Sequence, residues 1–530
     1  MKKRSIKILA LLMAIAMVAA AVAACGPGGG TDAPAAPGAT DTAAPAEPAG
    51  GLSGRTLYIA VAQDAGTLHP HGITGAGGML NAIRTIYDTM FNILPDGSFE
   101  YLLVTEIEEI SDIQYILHVR EGVYFSNGYE LTAHDIYFTL NLIKDHPRLN
   151  AEVRHVDFER TQVLDDFRLE LWLSHFDVGV FPGMMHTYIL HGASYDEAFL
   201  AHTPISTGPF RVVEYVVNSH LIVEARDEYW GERPAIDRIH FRVLDEPSQR
   251  VNALQIGDAQ FANIPVRDIP FVESLGLLVP QIDVGSAMGI FFNMTPGTPL
   301  GTLAAREAVM HAINRDAILN VAYSGLGTVS VWPVSAASVD FEPRFAGMHP
   351  AYRPDGFNPD RARELAEQEG LVGQTIRIIT NGDDLFVTIA EIIQHDLQNI
   401  GVNVQIHNFD QATYWAAMAD ETNYEIALQF ISAPVPMALR MLNSYPRFFP
   451  LGWADADKDR LLELGTQGMG TADPAGRQVI LEEILEIFMR QHPWFSLVDT
   501  VNAPAISPDL GGIRWFIDGT VRFSQWYWLR

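Results

Sequence analysis

The sequence predicts an α/β protein of two or three domains, and three observations carry that prediction. The chain has 530 residues, too many for one hydrophobic core. The stretch from Ser206 to Phe261 reads as a tight turn, a hairpin (Phe210–Val217 and His220–Ala225), a third strand at Ile236–Leu244 and a helix from Gln249. Much later, Ile389, Ile392, Ile393, Leu397 and Ile400 fall at helical spacing, Gly401 stops the helix, and Val402, Val404 and Ile406 alternate as a strand. Helix, glycine, strand is the grammar of an α/β layer.

Composition narrows the function. A hydrophobic content of 48% with 10% aromatics belongs to a folded chain. Lys+Arg 35 against Asp+Glu 64 gives a formal charge of −29, which repels phosphate backbones and excludes nucleic acid as the expected partner. One cysteine, Cys25, allows neither an intrachain disulfide nor a thiolate metal cluster.

The elements follow in order. Lys2-Lys3-Arg4, an apolar run from Ile8 to Ala24 and small residues before Cys25 describe an export signal. The residues before the lone cysteine resemble a bacterial lipobox, which implies cleavage before Cys25 and a lipid on it, anchoring the protein to the outer face of the membrane. Gly26 to Gly54 is nearly all Gly, Ala, Pro, Thr and Asp, the composition of a disordered tether. Thr56–Ala62 alternates as a strand and leads to Thr67-Leu68-His69-Pro70-His71. A helix is predicted over Gly77–Phe91, a strand over Tyr115–Arg120, and a helix after Thr132, with Asp135 as its capping partner. Met288–Phe292 is a short strand ending at Asn293. Arg306 to Arg315 reads as one helix, Asn358-Pro359 opens another, and Pro474–Arg490 is the last.

Several phrases stand out along this order: Ile86-Tyr87-Asp88-Thr89-Met90-Phe91, Arg120 to Gly128, Thr207-Gly208-Pro209-Phe210, Tyr229-Trp230-Gly231, Leu254 to Gln260 (L-x-x-G-D-x-Q), Arg306 to Arg315, and Leu397 to Val404. Together they resemble the extracytoplasmic solute-binding proteins of peptide/nickel-type ABC importers. That resemblance implies a two-lobed fold of the periplasmic-binding-protein type II, with an extra subdomain on lobe I and a hinge between the lobes. It also implies boundaries: signal peptide 1–24, lipid-anchored linker 25–54, lobe I opening at 55–78, inserted subdomain 79–202, lobe I again over 203–284, lobe II over 285–497, and a return to lobe I at 498–530. The implied activity is capture of a small solute and delivery to an ABC permease with its ATPase. The protein is expected to act as a monomer, without a cofactor.

The chemistry agrees. No G-x-S-x-G, H-E-x-x-H or phosphate loop is present; Gly72–Gly78 lacks the following Lys-Ser/Thr. Abundant carboxylates leave a secreted surface hydrolase as the competing class. His69 and His71 lack a third ligand in sequence and are expected to line the ligand mouth rather than bind metal; His69 stands where the family has aspartate. Peptide receptors of the family place an ammonium-binding aspartate just after a G-W-x-x motif. Here Phe430 takes the tryptophan position and the aspartate position falls at Ala433, so Asp383 or Asp384 is expected to substitute if the ligand carries a free amine. Asn293, Trp415, Phe430, Ser432, Ala433 and Trp453 complete the expected solute-binding set. Peptide is the first expectation, and an oligosaccharide or a metal chelate the alternatives.

Overall fold

In a computed structural model the described residues are 56–529, apart from 73–77, 95–96, 147–148, 421, 423, 433–436 and 443–451. Cys25 and Ala433 lie outside them. No helix among the described residues is long and apolar enough to cross a membrane.

Two six-stranded sheets organise the chain. Thr56–Val61 lies between Arg238–Val243 and Phe261–Asn263, parallel to both; His220–Ala225 and Phe210–Val216 extend one side, and Pro504–Ile506 closes the other. Leu57, Ile59 and Val61 are buried on its inner face, as the alternation predicts. This is the sheet of lobe I. The sheet of lobe II runs in the order Thr328–Val329, Trp494–Asn502, Ile282–Phe292, Ile426–Ile431, Thr375–Thr380, Asn403–Asn408. A four-stranded antiparallel sheet (Val104–Ser111, Gln114–Val119, Arg168–Trp172, Gln162–Asp165) carries the Ala133–Ile143 helix and has a core of its own, including Leu117, Ile136, Leu140 and Leu171.

The chain crosses between the two six-stranded sheets twice, between Asn263 and Ile282 and between Asn502 and Pro504. The strands entering and leaving lobe II are antiparallel partners, Ile282 opposite Asn502 and Phe291 opposite Trp494. Leu278 and Ile506, beside the crossings, exchange backbone hydrogen bonds of 2.9 and 2.8 Å. This paired crossing is the hinge of a two-lobed α/β fold.

Lobe I shows why its phrases co-occur. Gly208 lies against the chain at Ile86: a Cβ there would stand 2.2 Å from the Ile86 carbonyl oxygen, so only glycine fits. Its N–H donates to that same carbonyl at 3.0 Å. Arg226 donates to the Ser206, Gly208 and Tyr124 carbonyls. Asp88 accepts from Trp230 Nε1 (2.9 Å) and Arg522 (2.8 Å), with Tyr229 Oη at 3.4 Å. The aromatic plug is thus latched to Asp88 by charge-assisted hydrogen bonds.

Two predicted helices differ from those observed. The helix read over Gly77–Phe91 spans Gly78–Ile86, because the Gly208 turn takes the Ile86 carbonyl and Phe91–Ile93 pairs with Phe99–Tyr101 as a strand. The single helix read from Arg306 to Arg315 is two, Leu303–Ala312 and Arg315–Ala322. Ile313 is extended, and Asn314 caps the second helix by accepting from Ala317 N–H at 3.0 Å.

Candidate functional site between the lobes

Three lobe II strands run parallel, Thr375–Thr380 beside Asn403–Asn408 and Ile426–Ile431, so all three end on one edge. In open α/β sheets that carboxyl-end edge is where ligands bind. Two helices start from it. Asp383 caps the Asp384–Asn399 helix, accepting from Leu385 N–H at 2.9 Å. Asp410 accepts from Thr413 N–H (3.0 Å) and Oγ1 (2.6 Å) at the start of Gln411–Met418. Thr380 Oγ1 donates to Asn408 Oδ1 at 2.7 Å, joining neighbouring strand ends.

Aromatic surface gathers at the same place. Phe430, half-buried near the end of its strand, packs edge-on against Phe386, with centroids 5.5 Å apart. Ser432 follows it, exposed. Trp415, 46% exposed, stands beside Tyr414, which is buried and donates its hydroxyl proton to the Leu428 carbonyl. An apolar shelf with a polar rim is the usual lining of a small-molecule site.

Lobe I reaches this edge through Arg267, whose guanidinium is 3.4 Å from Asp384 Oδ2. It is the only ion pair between the lobes among the described residues. A second contact comes from the subdomain: Val178 N–H donates to the Met469 carbonyl at 2.8 Å, and the Val178 side chain packs against the lobe II core. Gly179 meets Met469 so closely that a Cβ would come within 2.6 Å of its methyl carbon. Near this contact, burial pushes the Glu152 carboxyl up to about 7, with Thr187 and Arg440 drawing it partly back.

The expected site residues divide by lobe. Phe430, Ser432 and Trp415 share the lobe II edge. Asn293 and Trp453 lie inside lobe II. Asn293 is fully buried, donating from Nδ2 to the Tyr424 carbonyl (3.1 Å) and accepting from Thr295 N–H (3.1 Å), so it secures a strand end. Trp453 is 7% exposed, and its indole N–H has no partner among the described residues.

His69 and His71 are buried together in lobe I, with ring centroids 5.7 Å apart and His69 edge-on to Tyr195. Burial, assisted by His69 and His146, pushes the His71 ring down to about 3, so it is neutral. No described group of three metal-ligating side chains includes either histidine. Of the two acids expected to replace the missing aspartate, Asp383 is engaged as a cap and Asp384 faces Arg267. Arg267 itself escaped sequence reading, because nothing local marks a residue whose partner lies 117 positions away.

Residues 99–447 match the family model described as bacterial extracellular solute-binding proteins, family 5 Middle. The chain is 22% identical over 503 residues to the glutathione-binding protein GsiB of Escherichia coli, covering 88% of this chain and 93% of that one. It is 23% identical over 378 residues to the oligopeptide-binding protein AppA of Bacillus subtilis, 66% of each. Among solved structures, the Helicobacter pylori periplasmic binding protein DppA in complex with the peptide STSA superposes with a TM-score of 0.74 at 20% identity, covering 90% of this chain and 98% of that one. NikA from Brucella suis in complex with Fe(III)-EDTA gives 0.78 at 19% identity, covering 89% and 99%.

Proposed function

The chain belongs to family 5 of the bacterial extracellular solute-binding proteins, and from that premise we propose that it captures a peptide at the lobe II edge and hands it to an ABC importer. Binding to both lobes favours their closed arrangement, and the closed shape is what a permease recognises. The observation that carries this reading is the edge itself, where Phe430, Trp415 and the carboxylates of Asp383, Asp384 and Asp410 gather and where Arg267 arrives from the opposite lobe. A peptide offers side chains to the aromatic shelf and an ammonium to the acidic rim. Delivery to a permease and its ATPase, a lipid on Cys25 and action as a monomer complete the proposal. A metal chelate is the second reading, supported by the Fe(III)-EDTA held by the structurally similar Brucella protein.

The test is calorimetric titration of the purified full chain with di- to nonapeptides, oligosaccharides and Fe(III)-EDTA, followed by mass spectrometry of the recovered ligand. The expected result is saturable binding of peptides, with a raised melting temperature by linkage and the peptide recovered intact. Binding confined to sugars or chelates, or a cleaved ligand, overturns the peptide-receptor reading.

A further inference from the structure

Lobe II carries a second group of side chains, on elements other than those of the aromatic edge. Glu307 lies on the Leu303–Ala312 helix. His349 caps the short turn of helix at Pro350–Tyr352. His492 ends the Pro474–Gln491 helix and leads directly into Trp494–Asn502, the strand that returns through the hinge. One ligand atom from each of the three lies within 4.8 Å of the other two. His349 Nε2 is 3.4 Å from Glu307 Oε1, and the His349 and His492 ring centroids are 4.1 Å apart. Modest contraction of such a triangle gives the spacing of donors around one ion at bonds of about 2 Å.

His492 supplies an independent observation. It is fully buried (0% exposed), yet neither ring nitrogen has a hydrogen-bond partner among the described residues. A neutral imidazole brings one N–H and one lone pair, and burying both unmet is costly. Nor does capping explain the residue: its backbone is left-handed (φ 42°), where glycine or asparagine ends a helix with less strain. A bound ion would satisfy the lone pair.

The surroundings agree. Glu307, His311 and His349 border a depression of about 320 Å³ that gives an ion a path inward. His311 Nδ1 lies 2.7 Å from the Gly356 carbonyl, which fixes the proton there and leaves Nε2 as the lone-pair nitrogen. This is the outer hydrogen bond that metal-binding histidines usually make. Imidazoles with one carboxylate and no thiolate suit zinc-like ions rather than calcium or magnesium.

We propose that Glu307, His349 and His492, with His311 beside them, form a divalent transition-metal site of zinc type that ties the helix feeding the hinge strand to the rest of lobe II. Binding through His349 Nε2 moves that ring's proton to Nδ1, and the hydrogen bond that Nδ1 accepts from the Ala351 N–H at 3.2 Å is given up.

The test uses the purified full chain, freed of metal by a chelator and titrated with Zn2+ against a chromophoric competitor. The expected result is one Zn2+ per chain, a raised melting temperature, and an intense visible d–d spectrum when Co2+ replaces zinc. Glu307→Gln and His349→Gln should each weaken Zn2+ by about ten-fold or more, the loss that even outer partners of a metal cause. His492→Asn, which tolerates the left-handed backbone, should do the same in a folded protein. His395→Ala, at a side chain 74% exposed, should change nothing. Zinc binding that survives the Glu307→Gln/His349→Gln double variant, or that falls with His395→Ala, overturns the proposal. Peptide binding, measured in the same samples, reports the solute site separately.

Discussion

Asp88 in lobe I and Asp384 at the edge of lobe II are both aspartates facing arginines, and they do opposite work. The Asp88 side chain is 1% exposed and its Arg522 partner 11%; Trp230 and Tyr229 fill the remaining positions around the carboxylate. The Asp384 side chain is 85% exposed, and its Arg267 partner, 63% exposed, stands at 3.4 Å. The first pair is closed, dehydrated and surrounded by donors. The second is wet, long and single. A buried network of the first kind holds a shape, whereas an exposed pair between two bodies can open without much loss, as a receptor that must release its cargo requires.

The sharpest way to break the comparison is to remove the buried carboxylate. Asp88→Ala leaves the Arg522 guanidinium, the Trp230 N–H and the Tyr229 hydroxyl without their common acceptor. Stripping one partner from a buried pair costs about 3–5 kcal/mol, so the midpoint of urea unfolding should fall steeply. Asp384→Ala should leave that midpoint where it was. Equal midpoints for the two variants would end the distinction between a structural and a gating carboxylate.

Acid supplies the next largest effect, and two buried groups of lobe I show its sign. Burial alone would raise Asp518, but Arg84 at 3.1 Å and His186 at 2.8 Å hold its carboxyl well below the usual range. That contribution is present above the unfolded value, about 4, and is lost as pH falls below it. His71 acts at higher pH. Its folded value is pushed down to about 3 by burial, so the unfolded chain takes a proton near pH ~6.5 that the folded chain refuses. Its contribution is complete above that pH and declines from there towards about 3. Stability measured from pH 8 to 4 should therefore decline more steeply in the wild type than in His71→Phe, the gap opening below pH ~6.5. A gap that stays constant across that range would show that His71 is not held neutral.

These regions also differ in how far the sequence revealed them. The phrases around Gly208, Asp88 and Trp230 are legible because their residues touch one another: a glycine against a carbonyl, an arginine on three carbonyls, an indole on a carboxylate. Mutual packing restricts each residue, and the restriction is written as a motif. The break at Ile313 was not legible, since Val309, Ala312 and Ile313 continue the apolar period through it, and Asn314 as a cap was the sole hint. At the lobe II edge, Phe430 and Trp415 could be named as aromatics, but which of them shares a surface with Asp384 depends on strand ends brought together by the sheet. His492 stayed invisible because burial with two unmet nitrogens is a property of the folded surroundings, not of the residue type.

The smallest expected change in stability tests the gating side. Arg267→Ala removes the one described ion pair between the lobes, and exposed pairs contribute about 0–1 kcal/mol, so the unfolding midpoint should hardly move. What should move is the balance between open and closed forms. If the Arg267–Asp384 contact belongs to the closed state, its loss favours the open one, and a solute that binds the closed form must supply the difference from its own affinity. The measurable signs are a weaker apparent affinity, arising mainly from faster dissociation, and an X-ray scattering profile of the solute-bound protein shifted towards the free one. Reversing the pair, with Arg267→Glu and Asp384→Arg together, should restore both signs if attraction across the gap is the cause. Should the single variant bind solute as the wild type does, the lobes close without help from this pair, and the edge near Asp384 would meet lobe I only through the solute itself.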